Sequence, residues 1–148
     1  MAVRPARLAD AEEVAALRHA LWPDEPLAVR LEETLAYLSG DRDALDVLVA
    51  ERGGVVTGFI ETSLRHDYVN GCESSPVGFI EGLFVRPEMR GGGMGAALVA
   101  AAHAWTLARG CRELASDVHL DNEASQAFHR AAGFSETDRL VFFRKGLV

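Results

Sequence analysis

No apolar run in this 148-residue chain approaches the length a membrane span needs. Nor does the start read as a secretion signal, because Met1-Ala2-Val3-Arg4 leads straight into polar sequence. Cysteine is scarce. Cys72 and Cys111 stand apart without metal-ligand spacing, so no metal is expected, nothing calls for a disulfide, and reduced thiols in the cytoplasm are the expectation. Positive charge is short as well: the formal net charge of −7 argues against nucleic acid and suits a cationic partner. Repeats, linkers and low-complexity tracts are missing, which leaves a single domain over 1–148 with one substantial core.

What is present alternates helix and strand signals. Val3 to Arg7 fits an edge strand that tolerates Pro5. Asp10-Ala11-Glu12-Glu13 resembles a capping box, and Val14, Leu17 and Leu21 give the helix after it an apolar stripe that Trp22-Pro23 stops. A second helix is expected over Pro26 to Leu38, with Leu27, Leu31, Thr34, Leu35 and Leu38 inward. Asp46 to Glu51 and Val55 to Leu64 read as strands hinged at Arg52-Gly53-Gly54. Arg65 to Ser75 breaks the pattern with a long loop whose aromatic and polar side chains suit the wall of a ligand pocket.

The chain is organised around Val77 to Arg109. Val77 to Val85 reads as a buried strand with one carboxylate, Glu81, inside it, and Arg86-Pro87 ends it. Next come Arg90-Gly91-Gly92-Gly93-Met94-Gly95-Ala96, and then Met94, Leu98, Ala101, Ala102 and Trp105 at helical spacing. Glycines at a helix start expose amides at the positive end of the dipole, which suits a phosphate, and Arg90 adds a charged donor. No Gly-Lys-Ser/Thr follows, and the Gly-x-Gly-x-x-Gly order is missing, so neither a P-loop nor a dinucleotide site is indicated. Arg112 to Val118 then reads as a strand, Asp121-Asn122-Glu123 caps a helix running to Ala132, and Glu136 to Lys145 reads as a last strand carrying Asp138 near its start.

Arg90, Gly93 and Gly95 match the Arg-x-x-Gly-x-Gly/Ala signature that the sequence shares with the GCN5-related N-acetyltransferases, a resemblance. Asn122, Ser125, Gly133 and Phe134 resemble the family's second signature, with His129 where a tyrosine is frequent. The resemblance implies a mixed, mostly antiparallel α/β (α+β) sheet flanked by helices and splayed at the coenzyme strand. It implies acetyl-CoA held at the pyrophosphate by Arg90, Gly91, Gly92, Gly93, Met94, Gly95 and Ala96, and along the pantetheine arm by Leu83, Phe84, Val85 and Asn122. His129 would take the place of the acid that reprotonates the leaving thiolate, or would simply pack.

Nearly end to end, the chain is similar to one subgroup, the chromosomal-type aminoglycoside 6′-N-acetyltransferases. The strings that carry this are Trp22-Pro23, Arg65-His66-Asp67-Tyr68-Val69-Asn70-Gly71-Cys72, Ser74-Ser75-Pro76, Phe79-x-Glu81-Gly82, Cys111-Arg112-Glu113, Ala115-Ser116-Asp117 and Phe142-x-Arg144-Lys145. The likeness implies a small polycationic amine as substrate, neither nucleic acid nor membrane as partner, and a homodimer. An ammonium ion is no nucleophile, so carboxylates must hold it and let a proton go. Glu81, Asp117 and Asp138 are the candidates, with Glu81 and Asp117 catalytic, Trp22 and Tyr68 stacking on sugar rings, and Glu73 at the rim. An acetyltransferase for another amine, or a coenzyme-binding protein without catalysis, are the competing readings.

Overall fold

Gly53 and Gly54 make the first tight reversal. Both take positive φ, 59° and 79°, the backbone a two-residue hairpin needs, and they join β2 (Leu45–Arg52) to β3 (Val55–Arg65). A computed structural model describing residues 1–148 sets these strands in a five-stranded sheet. Its order is β1-β2-β3-β4-β5, with β1 at Ala2–Pro5, β4 at Val77–Val85 and β5 at Leu114–Ser116. All neighbours are antiparallel except β4 and β5, which run parallel. The sheet is thus mixed and mostly antiparallel, as the sequence led us to expect. Four helices accompany it: α1 (Ala11–Leu21), α2 (Leu27–Ser39), α3 (Met94–Ala108) and α4 (Glu123–Ala131).

Contacts divide the chain into two units, residues 1–116 and residues 117–148. In the first, helices cover both faces of the sheet. A Cβ added to Gly78 would overlap Thr106 of α3, whereas one added to Gly82 would overlap the Trp22 ring just beyond α1. Residues four apart on a regular strand share a face, so β4 must change phase between these glycines. It does so at Glu81. Ile80 lies opposite Thr62 and Gly82 opposite Glu61, which leaves Glu81 as an extra residue, a β-bulge.

Val14, Leu17, Leu38, Val47, Val49, Val56 and Phe59 form the core beneath α1 and α2, and Met94, Leu98, Ala102 and Trp105 bury the α3 side. Each such aliphatic or aromatic side chain contributes roughly 1.5–3 kcal/mol by leaving water.

Some elements differ from expectation. In α2 the inward stripe is partly charged: Leu27 and Leu35 are exposed, while Arg30 is buried. Its guanidinium is satisfied by Trp22 O at 3.0 and 3.1 Å, Glu33 at 2.8 Å and Asp24 at 2.9 Å, so it can be buried. Asp10 does not cap α1 with its side chain; its carboxylate takes Arg4 at 2.7 and 3.0 Å and the Arg7 N–H at 2.7 Å. Strand β5 is only three residues long, against the seven expected for Arg112 to Val118. It pairs with Gly78–Ile80 alone, so β4 loses its β5 partner from Glu81 onward.

In the second unit, Asn122 caps α4 by accepting the Ser125 N–H at 3.1 Å, and Gly133, at φ 95°, follows its end. The strand expected over Glu136 to Lys145 does not form. Phe142 and Phe143 stand 87% and 92% exposed.

Candidate active site

Glu61, Ser63 and Arg65 alternate along β3 and so share one face of the sheet. Across from them, the bulge turns Glu81 into the same row. Its Oε2 accepts Ser63 Oγ–H at 2.7 Å and Arg65 Nε–H at 3.0 Å, and its Oε1 accepts Arg65 Nη2–H at 2.6 Å. The guanidinium also lies flat on Phe79, 3.5 Å from the ring centroid. Glu81 is half-buried and anchored from two sides. It is therefore no isolated charge inside an apolar strand: Ser63 and Arg65 are its partners, and sequence reasoning did not name either. The signal was there in the spacing of Ser63 and Arg65, but their pairing with Glu81 depends on a bulge that no residue pattern announces.

Beneath this group lies a second pair. Arg18 of α1 donates Nε–H to Glu61 Oε1 at 3.0 Å, with both side chains nearly sealed from water. Burial pushes the Glu61 carboxyl above the usual range, and Arg18 opposes that rise. The Arg18 guanidinium also stacks near Trp22 and Tyr37, at 5.3 and 5.0 Å. Trp22 meets Phe59 edge-on at 6.2 Å and covers Gly82, the residue beside Glu81. It is half-buried and held by this packing.

The loop after β3 frames a cavity of about 460 Å³ lined by residues 64–69, with Arg65 and Tyr68 among them. That size lies within the range of small-molecule sites, ~300–1,000 Å³. Tyr68 is 75% exposed, and its hydroxyl oxygen accepts the Gly71 N–H at 3.3 Å. Farther along, Glu113 Oε1 accepts the N–H groups of Glu73 and Ser74 at 2.9 and 2.8 Å. The Ser74 hydroxyl, also bound to it, is the main reason the Glu113 carboxyl lies below its ordinary value. This anchor ties the loop to the start of β5 and leaves the Glu73 side chain exposed at the rim.

At the other end of β4, Arg90 reaches back. Its Nε–H donates to Val85 O at 2.8 Å, and its guanidinium lies 5.2 Å from the Phe84 ring. Gly91 and Gly93 both take φ near +85°, and a Cβ on either would meet only open space. The Ala97 N–H is the first of the turn to return to a carbonyl, Gly93 O at 3.0 Å. The amides before it therefore stand at the positive end of α3 as donors for an anion. Leu83 and Phe84 are half-buried, and Val85 is buried.

The remaining candidates belong to the second unit. Asp117, its first residue, is exposed, as is Asp138 in the irregular segment after α4. Asn122 spends its side-chain oxygen on the cap of α4. His129 has Nδ1 2.7 Å from Ser125 O, a contact made by the tautomer with its proton on Nδ1. Its ring sits edge-on to Phe128 and Phe134, at 5.9 and 5.3 Å.

A glycine turn at the start of α3 follows the strand that carries the bulged carboxylate. The family model for the acetyltransferase (GNAT) family matches residues 11–134. The chain belongs to that family. Among GNAT relatives, the aminoglycoside N(6′)-acetyltransferase type 1 of Stenotrophomonas maltophilia is 49% identical over 147 residues, 98% of this chain and 93% of that protein. The enzyme of the same name from Salmonella typhimurium is 46% identical over 129 residues, 87% of this chain and 88% of that protein. A solved structure of AAC(6′)-Iy with the bisubstrate analogue CoA-S-monomethyl-acetylneamine superposes with a TM-score of 0.92 at 43% identity, covering 98% of this chain and 97% of that one. The apo aminoglycoside 6′-N-acetyltransferase AAC(6′)-IG of Acinetobacter haemolyticus gives 0.91 at 37% identity over the whole of both chains. No helix of this GNAT protein is long and apolar enough to cross a membrane, and no cluster of three or more His, Cys, Asp or Glu side chains could hold a metal ion.

Proposed function

We propose that the protein transfers an acetyl group from acetyl-CoA to the 6′-amine of aminoglycoside antibiotics, by direct attack in a ternary complex. The observation that carries this reading is the bulged Glu81 at the point where β4 loses its β5 neighbour, one residue from the Trp22-covered Gly82. Relatives at 42–49% identity over 87–98% of this chain carry the name of that activity.

Acetyl-CoA fits the cradle, since Gly91 and Gly93 leave space for a diphosphate to approach the amides, and it supplies a thioester as acetyl donor. The chain's own groups divide the remaining tasks. Amides of residues 91–96 and the Arg90 guanidinium hold the diphosphate, while Leu83, Phe84, Val85 and Asn122 bind the pantetheine arm. Trp22, Tyr68, Glu73 and Asp138 form the acceptor's surroundings. Glu81 and Asp117 hold the reacting ammonium and release its proton to solvent or to carboxylate, so that a neutral amine attacks. A backbone N–H at Leu83 polarises the carbonyl. His129, protonated on Nε2, returns a proton to the departing thiolate and keeps the Nδ1 proton that binds Ser125 O.

We read the two units as one acetyltransferase domain, because the family match runs across residue 116 without a break. A cytoplasmic setting accords with two free cysteines and a coenzyme-A substrate. A homodimer accords with the exposed apolar run Leu140 to Phe143, which a second copy would cover. The test is thiol release from acetyl-CoA in the presence of a kanamycin-type aminoglycoside, spermidine and a peptide panel. Turnover with the aminoglycoside well above the others is expected; turnover with spermidine or peptide alone, or none at all, overturns the assignment.

A further inference from the structure

The acid that meets the substrate does not meet it alone. Both oxygens of Glu81 are engaged by Arg65, at 2.6 and 3.0 Å, and Oε2 is shared with Ser63 at 2.7 Å. Stacking on Phe79 at 3.5 Å fixes the plane of the guanidinium, so its charge stays at the carboxylate. Oε1 carries one fewer bond than Oε2 and is the oxygen open to a further donor.

We propose that Arg65 sets the charge which the reacting amine meets at Glu81, weakening the carboxylate's hold on the ammonium so that the amine can lose its proton and attack. This inference rests on the reading that Glu81 holds the reacting amine. The physics is a matter of sign. A carboxylate next to an ammonium favours the protonated amine, and a cation next to it favours the neutral one. An uncompensated Glu81 would bind a polycation well but keep it in its unreactive form. Paired with Arg65, the carboxylate still orients the ammonium through Oε1 while the net field at the nitrogen falls. Binding strength is given up for the interaction that counts only in the reacting state.

The other charges around the pair do not replace Arg65. Glu61, in the same β3 row, adds a negative neighbour but is held by Arg18 of α1, which also reaches Glu33 of α2 at 3.4 Å. His66 and Asp67 begin the loop beside Arg65. From β5, the register partners Leu114, Ala115 and Ser116 bring no charge.

The test compares Arg65→Gln, Arg65→Lys and Glu81→Gln in the full chain, measuring kcat and KM for a kanamycin-type aminoglycoside from pH 5.5 to 9.5. With Arg65→Gln, KM for the aminoglycoside stays level or falls, kcat at pH 7 drops about tenfold, and the rising limb of kcat moves alkaline by about one pH unit, since a tenfold change in neutral amine is one unit. Arg65→Lys restores the charge and brings the limb back close to its original place. An Arg65 that merely supports the loop would instead raise KM in both variants without moving the limb, and that result overturns the proposal. Glu81→Gln separates the two levels. If it cuts turnover while Arg65→Gln leaves the limb unmoved, only this inference falls; if it leaves turnover unchanged, the assignment of Glu81 falls and takes this inference with it.

Discussion

Trp22 closes over Gly82 so tightly that even a methyl group on the glycine would overlap the indole. The two residues are remote in sequence, yet their contact fixes the indole against the strand that carries Glu81. Gly82→Ala should therefore cost about 1–3 kcal/mol of stability through overpacking and at least tenfold in kcat/KM. Adding Trp22→Ala removes the overlap but also the ring's packing on Phe59 and Arg18, so the double variant should regain neither stability nor activity. Thermal unfolding and thiol release on the single and double variants read both effects; a Gly82→Ala protein as active as the parent would show that the contact plays no part.

Glu81→Gln and Asp117→Asn keep shape and remove charge. Each should lower kcat/KM for an aminoglycoside by more than tenfold, or about 1.4 kcal/mol of transition-state stabilisation. Calorimetric titration with acetyl-CoA should give the same affinity in both variants as in the parent. Unchanged kinetics in both would remove these acids from the reaction.

Gly93 holds φ at 86° as the residue before α3. A valine there would strain the backbone by roughly 1–2 kcal/mol and place a branched side chain beside the amides of the cradle. KM for acetyl-CoA should rise more than tenfold while KM for the aminoglycoside changes little. A rise confined to the aminoglycoside would place the diphosphate elsewhere.

The Arg4 hydrogen bonds hold the Asp10 carboxyl below its ordinary range in the folded protein. An unfolded chain binds that proton at about pH 3.9, so on acidification the unfolded state takes it up first. The stabilisation is complete above that pH and is lost as pH falls through the lower, folded value. Asp10→Asn should reduce Tm near neutrality and flatten the fall of Tm between pH 5 and 2. A parallel fall in parent and variant would assign acid sensitivity to other groups.

Much of the architecture was legible because its signals are local. Val77–Val85 and the helix from Met94 form where the apolar run and the glycines put them. The Asn122 cap was readable for the same reason. What failed was whatever depends on a distant partner. Glu136 to Lys145 has a strand's residues yet forms no strand, because ladder pairing and not composition makes one. Arg30 is buried only because Trp22 O, Asp24 and Glu33 gather round it, partners that helical spacing does not reveal. Glu81 could be named from sequence as an acid in an apolar strand; its grip by Ser63 and Arg65 could not, since one unpaired residue decides which side chains face each other.

That unpaired residue divides β4 into halves of opposite phase. Delete it, and the acid is lost while every downstream side chain changes sides. A seam of this kind admits neither lengthening nor drift. An insertion or deletion anywhere between Val77 and Val85 would therefore move the acid's neighbours to the opposite face of the sheet.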